Sequence, residues 1–155
     1  LMEREEAMNG KYIRQGRVMH SLFYMIQTPK DVPSAIARLR MEGIIESEAH
    51  EKQILKLVNW ALNHPKVKEW FSGEWTLYNE CAILYRENGE LQTRRPDRVM
   101  MKDRKVIVVD FKFGKPYPEY NEQVREYMNL LQDMGYTNVS GYLWYVFYNQ
   151  LEEIK

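Results

Sequence analysis

The stretch RRPDRVMMKDRKVIVVDFKFG, residues 94–114, decides how this chain folds. Its second half, KVIVVDFKF, is a nearly unbroken apolar run of the kind found in strands that are buried on both faces. The polar segment KDRK separates this run from RVMM, so it predicts a turn between two neighbouring strands. The run nevertheless finishes in Asp110 and Lys112, which alternation places on one face of the strand. Charged residues are rarely buried without a partner or a function, so Asp110 and Lys112 are candidates for a chemical role.

Signals on either side of this stretch predict an α/β fold. Asn88-Gly89 predicts a two-residue hairpin between EWTLYNECAILY and LQTRRPDRVMM, because both central residues of a type I′ turn need positive φ. NVSGYLWYVFY is typical of a last strand. Periodicity and cap residues predict helices from about Glu3 to Ile26, from the N-cap Asp31 to Gly43, from Ser47 to Pro65, and from Pro118 to Gly135.

We therefore predict a small mixed β-sheet flanked by helices, with an N-terminal helical portion. Residues 1–155 are expected to form a single domain, mainly helical over 1–72 and carrying the sheet and its helix over 73–155. The opening segment LMEREEAMNGKY already has helical character, so we expect the domain to be a fragment of a larger protein.

Composition narrows the classes of function. The chain has 22 Lys plus Arg and 22 Asp plus Glu, so any nucleic-acid contact must come from a local patch or a partner rather than from an overall basic field. Its single cysteine, Cys81, excludes an internal disulfide and a four-cysteine zinc site and predicts a chain without an iron–sulfur cluster. One cysteine also suits a reducing compartment, so we expect a cytoplasmic protein without a membrane segment.

The hairpin brings a second carboxylate toward the charged strand end. Counting along both strands from the Asn88-Gly89 turn places Asp97 on the second strand of the meander. The KDRK turn joins this strand to the third, so Asp97 and Asp110 can lie side by side. Two adjacent carboxylates repel each other, and their hard oxygen ligands suit Mg²⁺ or Mn²⁺. A lysine beside such a metal can orient or deprotonate a water for attack on phosphorus, so Lys112 completes a set that predicts phosphodiester hydrolysis. The alternative is a structural Asp/Lys ion pair at a strand end.

Four segments resemble a known nuclease family. Pro96-Asp97 and the DFK of residues 110–112 resemble the PD-(D/E)XK signature. RQGRVMHSLF resembles the glycine-x-x-x-histidine segment of the RecB-type branch, and NEQVREYMNLL resembles that branch's Q-x-x-x-Y helix. They occur in the family's order between Gly16 and Tyr127, and the likeness is to the C-terminal nuclease domain of RecB/AddA-type helicase–nucleases of the UvrD/Rep class.

The resemblance implies a restriction-endonuclease-like core and a Mg²⁺- or Mn²⁺-dependent deoxyribonuclease, an exonuclease acting in DNA end processing and recombinational repair. Its implied partners are single-stranded DNA and the helicase domains of a parent chain or partner subunit. The implied metal ligands are His20, Asp97, Asp110 and the carbonyl of Phe111. The resemblance also implies that Lys112 orients or deprotonates the attacking water and that Glu80 is an auxiliary acid. Gln123 and Tyr127 would line the DNA cleft. The chain departs from the family at RRPD, where glycine-x-(I/V)-D is common, and at DFKFG, where D-Y-K-T-G is common.

Other functions remain open at this point. A stand-alone phage- or CRISPR-type exonuclease and a non-catalytic DNA-binding module of the same fold both suit the same residues. His20 also suits a histidine held in a helical core, and the aromatic residues of the last strand suit sheet packing. No G-x-x-x-x-G-K-[ST] pattern occurs, so we expect no ATP site in this chain.

Overall fold

A computed structural model describes the backbone of residues 2–78 and 82–155, and the side chains of residues 14–78 and 82–155. The helices are α1 (Met2–Met25), α2 (Val32–Met41), α3 (Glu48–Leu62), α4 (Pro65–Trp70) and α5 (Pro118–Asp133). The strands are β1 (Thr76–Leu77), β2 (Ile83–Glu87), β3 (Glu90–Arg94), β4 (Arg98–Lys102), β5 (Lys105–Lys112), β6 (Asn138–Tyr145) and β7 (Gln150–Ile154). Short 3₁₀ turns occur at Pro29–Asp31 and Val146–Tyr148.

Two compact units make up the fold. The first, a helical unit, comprises Leu1–Gly73 and Val146–Asn149, and the second, a sheet unit, comprises Glu74–Tyr145 and Gln150–Lys155. The mixed α/β class predicted from the sequence is confirmed, with a five-stranded mixed sheet and a separate two-stranded sheet. Within the described ranges, no helix has both the length and the apolar character needed to cross a membrane.

The helical unit contains α1 to α4 around an apolar core. The helices present their apolar stripes inward, as amphipathic periodicity predicts. Its fully buried side chains include Met19, Leu22, Phe23, Ile26, Leu39, Ile54 and Val58. The predicted start of α3 is confirmed, because the Ser47 hydroxyl accepts a hydrogen bond from the backbone N–H of His50.

Two details of the helical unit differ from the sequence prediction. Asp31 does occupy the N-cap position of α2, but its carboxylate accepts from the N–H groups of Gln27 and Thr28 and so stabilises the preceding 3₁₀ turn. Pro65 was expected only to end α3, yet it also begins α4. The physical reason is that proline, which has no N–H, is well suited to the first turn of a helix.

The five-stranded sheet has the order β1-β4-β5-β6-β7. Its central strand, β5, pairs antiparallel with β4 and parallel with β6. The parallel pair is joined through α5, whose Tyr127 and Leu131 pack on Val106 and Val108 of β5. This β5-α5-β6 unit sets α5 across one face of the sheet, beside the end of β5 that carries Asp110 and Lys112.

Both predicted turns are confirmed. Asn88 and Gly89 have φ values of 51° and 79°, and Glu87 pairs with Glu90 across them. Asp103 and Arg104, in the KDRK segment, have φ values of 50° and 66° and join β4 to β5. Positive φ at both central residues gives a turn whose twist matches that of the flanking strands.

The observed strands differ from the predicted ones in three respects. EWTLYNECAILY overlaps two strands, β1 and β2, and LQTRRPDRVMM overlaps two others, β3 and β4. Of these four, β1 and β4 pair in the five-stranded sheet, whereas β2 and β3 form a separate two-stranded sheet. Asp97 was expected within a strand but immediately precedes β4, because Pro96 cannot donate a ladder hydrogen bond and the pairing resumes only at Arg98. The predicted last strand ends at Tyr145, and β7 follows after Asn149, whose φ is 47°.

Candidate functional site

Asp97 and Asp110 lie side by side in the sheet unit. Asp110 occupies a position near the end of β5, and the Asp97 backbone N–H donates to its Oδ1 at 3.3 Å. In return, Oδ2 of Asp97 accepts from the backbone N–H of Phe111 at 2.8 Å. The predicted adjacency of the two aspartates is thus observed, although Asp97 lies in the segment before β4 and not within a strand. Each carboxylate thus accepts a hydrogen bond from a backbone N–H at or next to the other aspartate, so both carboxylates have defined positions.

Burial and mutual repulsion set the electrostatics of this pair. Asp110 is only 3 % exposed. Its burial, followed by the charge of Asp97, raises the pKa of Asp110 from 3.8 to about 7, while Lys112 acts in the opposite direction. Near neutral pH, Asp110 is therefore poised between its protonated and ionised forms. A cation close to Asp110 would therefore stabilise the ionised form of its carboxylate.

Lys112 faces the same space as Asp110. Its ammonium Nζ lies 3.3 Å from Oδ2 of Asp110 and donates to Oε1 of Gln123 at 3.2 Å. The ammonium also sits over the ring of Tyr120, 4.2 Å from the ring centroid. The predicted orientation of Asp110 and Lys112 on one face of β5 is confirmed. Contacts from β5 and α5 together fix the lysine head group.

Gln123 and Tyr127 extend the site along α5. They are one helical turn apart, and Nε2 of Gln123 donates to the Tyr127 hydroxyl at 3.2 Å. Burial raises the pKa of Tyr127 above its ordinary value, and the charges of Asp110 and Asp97 add to the effect. The phenol therefore stays protonated in any ordinary buffer. The two residues form one polar row that begins at Lys112.

The carboxylate pair also has the chemistry of a divalent-cation site. Within a strand, the N–H and C=O of one residue point toward the same neighbouring strand. Because the N–H of Phe111 reaches Asp97, its carbonyl lies on that same edge, as the proposed ligand set requires. Two carboxylates and a carbonyl are hard oxygen donors of the type that Mg²⁺ and Mn²⁺ prefer. In the described part of the chain, no three His, Cys, Asp or Glu side chains come together as a metal-holding group.

Glu80, the predicted auxiliary acid, lies outside the described residues. The register that led to it continues through the described strands on either side. Glu87 pairs with Glu90 and Ile83 with Arg94, and beyond the gap Leu77 pairs with Met100. The two residue numbers add to the same total in each of these pairs. The placement of Glu80 opposite Asp97 stays a prediction.

His20 belongs to the helical unit, where it lies on α1 and is partly exposed. It lines a cleft of about 640 Å³. The other residues lining this cleft are Arg14, Gln15, Arg17, Val18, Ser21, Gly43, Ile44, Glu46, His50 and Gln53. His20 is thus neither fully buried in the helical core nor fully exposed, and its role as a metal ligand stays a prediction. His50 of α3 borders the same cleft.

Sequence reasoning missed two residues around the site. Tyr120 contacts Lys112, and its position two residues into α5 and eight residues after Lys112 gave no pattern to identify it. Arg94 forms an ion pair with Glu126 of α5 at 2.8 Å and donates to the Tyr85 hydroxyl at 2.7 Å. The arginine doublet Arg94-Arg95 was visible in the sequence, but only the fold brings Arg94 to α5.

Comparisons with known proteins add no assignment. No protein-family model matches the chain. A comparison with curated proteins likewise finds no significant match. The functional argument therefore depends on the geometry of the site and on the four sequence segments.

Proposed function

We propose that this chain is a metal-dependent nuclease domain that hydrolyses phosphodiester bonds in DNA. The observation that carries the proposal is the packing of Asp97, Asp110 and Lys112 at the end of β5. A purely structural ion pair needs one aspartate and one lysine. Here burial, together with the repulsion from a second carboxylate, raises the pKa of Asp110 to about 7. An arrangement that costs stability is characteristic of functional sites.

Each residue has a defined part in this reaction. Asp97, Asp110 and the carbonyl of Phe111 would hold Mg²⁺ or Mn²⁺, which supplies charge stabilisation at the phosphorus when it is bound. Lys112 hydrogen-bonds to the attacking water and orients it toward the scissile phosphate. Gln123 keeps the ammonium in place, since its Oε1 accepts from Nζ at 3.2 Å.

The finer identity of the domain belongs to the same proposal. A mixed sheet with α5 crossing between β5 and β6 is compatible with a PD-(D/E)XK core. The motif order from Gly16 to Tyr127 favours the RecB/AddA-type branch, in which DNA reaches the nuclease from helicase domains. Zero net charge supports delivery of a single strand by such a partner. The reaction would then serve DNA end processing and repair in the cytoplasm.

The test is cleavage of an end-labelled single-stranded oligonucleotide with Mg²⁺ or Mn²⁺, and with EDTA. We expect cleavage with either metal and none with EDTA. Asp110→Asn and Lys112→Ala should each slow cleavage by at least about 100-fold, since each removes a group that stabilises the transition state. Lys102→Ala is the matched control, because Lys102 belongs to the same sheet but pairs with the exposed Glu74.

The control should cleave at the parent rate. Cleavage in EDTA, or a parent-like rate in either site variant, would show that these residues do not perform the reaction. Circular dichroism spectra of all three variants establish that the fold is retained.

A further inference from the structure

A pair of tyrosines extends the candidate site toward solvent. Tyr120, whose ring carries the Lys112 ammonium, contacts the Tyr117 ring edge to face, with ring centroids 5.5 Å apart and planes at 88°. Packing against the apolar cluster that contains Val124 and Tyr145 holds the Tyr120 side chain in place. Tyr117, in contrast, is 52 % exposed. The pair therefore runs from the lysine to an open aromatic surface.

The backbone holds Tyr117 in a rigid position. It is flanked by Pro116 and Pro118, and a residue before proline is confined to extended conformations. Tyr117 has φ −133° and ψ 142°, which agrees with that restriction. Its carbonyl also accepts from the N–H of Tyr120 at 3.1 Å. An exposed ring on a rigid backbone loses little conformational entropy when a ligand covers it.

Distance and chemistry indicate which ligand fits. The Lys112–Tyr120 and Tyr120–Tyr117 distances together put the Tyr117 ring centre no more than 9.7 Å from the ammonium nitrogen. A nucleotide adjacent to a phosphate at Lys112 has its base within reach of this ring. Bases of a single strand offer a free π face, whereas paired bases in a duplex do not. The exposed ring carries no charge, so it suits a base rather than a phosphate.

We propose that Tyr117 is a stacking site for a base of single-stranded nucleic acid, next to the phosphate that Lys112 faces. This inference rests on the proposed function, because it takes the space beside Lys112 as the site of phosphodiester cleavage. It assigns the substrate class as a strand with unpaired bases. Tyr120 is a positioning residue, which supports both the Tyr117 ring and the lysine.

The experiment combines a protein variant with a change in the ligand. Binding of a fluorescent oligothymidylate, in which one abasic residue is moved position by position, is measured by anisotropy in EDTA for the parent and for Tyr117→Leu. We expect one abasic position to weaken parent binding by about 5- to 100-fold, which corresponds to roughly 1–3 kcal/mol of stacking. Tyr117→Leu should weaken binding of the intact strand equally and show no further loss with the abasic strand.

Two controls separate stacking from folding. Tyr117→Phe keeps the ring and should bind like the parent, whereas a role for the hydroxyl would weaken it. Tyr136→Leu changes another exposed tyrosine, three residues after α5 ends at Asp133, and should leave the abasic penalty intact. Because stacking involves no ion release, the loss in Tyr117→Leu should be the same at low and high salt.

The outcomes distinguish this inference from the proposed function. An abasic penalty that persists in full in Tyr117→Leu overturns the stacking site, and so does a parent without any abasic penalty. If the parent cleaves with Mn²⁺ but Tyr117→Leu binds the intact strand as tightly as the parent, the nuclease proposal stands and the stacking site is wrong. If Tyr117-dependent binding occurs without any cleavage, stacking stands and the nuclease proposal is wrong.

Discussion

Replacing Asp110 with asparagine should remove a large pH dependence from the stability of the metal-free protein. Asparagine keeps the size of the side chain and the oxygen that accepts from the Asp97 N–H. It cannot ionise, so it removes the repulsion with Asp97 and the ion pair with Lys112 together. The variant therefore isolates the consequence of placing a second carboxylate in a buried position.

The magnitude follows from the pKa of Asp110, which is 3.8 in the reference state and about 7 in the folded protein. Between these values the folded protein holds a proton that the unfolded chain has released, so the free energy of unfolding falls as pH rises. The stabilising contribution of this proton is fully present below the unfolded pKa and is lost as pH rises through about 7. At about 1.4 kcal/mol per pH unit, the difference between these two pKa values corresponds to about 4 kcal/mol of unfolding free energy.

The assay is urea denaturation of parent and Asp110→Asn in EDTA at a series of pH values from about 4 to about 8. The advantage of the variant over the parent should grow by about 2–4 kcal/mol across this range. Asp103→Asn is the control, since Asp103 is exposed in the turn between β4 and β5 and asparagine tolerates its positive φ. It should keep the parent's pH dependence. A difference between parent and Asp110→Asn that does not change with pH would refute the reasoning.

Three further predictions test other parts of the protein. His20→Ala should weaken Mn²⁺ binding measured by calorimetry and flatten its loss below about pH 6.5, because a histidine ligand must lose its proton; unchanged affinity and pH dependence would exclude His20 as a ligand. Glu80→Gln should raise the melting temperature of the metal-free protein slightly, since like charges across strands cost about 0.2–1 kcal/mol, and should shrink the shift caused by Mn²⁺; an identical shift would exclude the pairing with Asp97. Gly141→Ala should cost about 1–3 kcal/mol in urea denaturation, because the added Cβ would lie 2.5 Å from Sδ of Met128 and 2.6 Å from Cγ1 of Val124; unchanged stability would contradict this packing.

Local chemistry made the hairpins and helix caps predictable. Asn88-Gly89 specifies its turn because few residues adopt positive φ at two successive positions, and a two-residue turn then sets the register of both strands. The Asp103-Arg104 turn in the same way sets the register of β4 and β5, with Arg98 opposite Val109, so that Asp97 and Asp110 come next to each other. The Ser47 cap was readable for the same reason, since a side-chain oxygen and a nearby N–H are all that it requires.

The interruptions of the strands were less readable. Pro96 cannot donate a ladder hydrogen bond, but whether pairing stops at this residue depends on the neighbouring strand. The same apolar alternation is compatible with one long strand or two short ones. The start of α4 at Pro65 was missed because a proline after a helix is a signal both for its end and for a new beginning.

What the sequence by itself determined was the inventory of the site: two aspartates, a lysine and the glutamine and tyrosine of α5, with Asp110 and Lys112 on one face of β5. Only the tertiary structure decided how these groups act on one another. The packing of α5 against β5 buries Asp110, shifts its pKa to about 7 and brings Gln123 and Tyr120 onto the lysine. The physical reason is that turn geometry and side-chain alternation are local properties of the chain, whereas burial and electrostatic coupling arise only when segments distant in sequence come into contact.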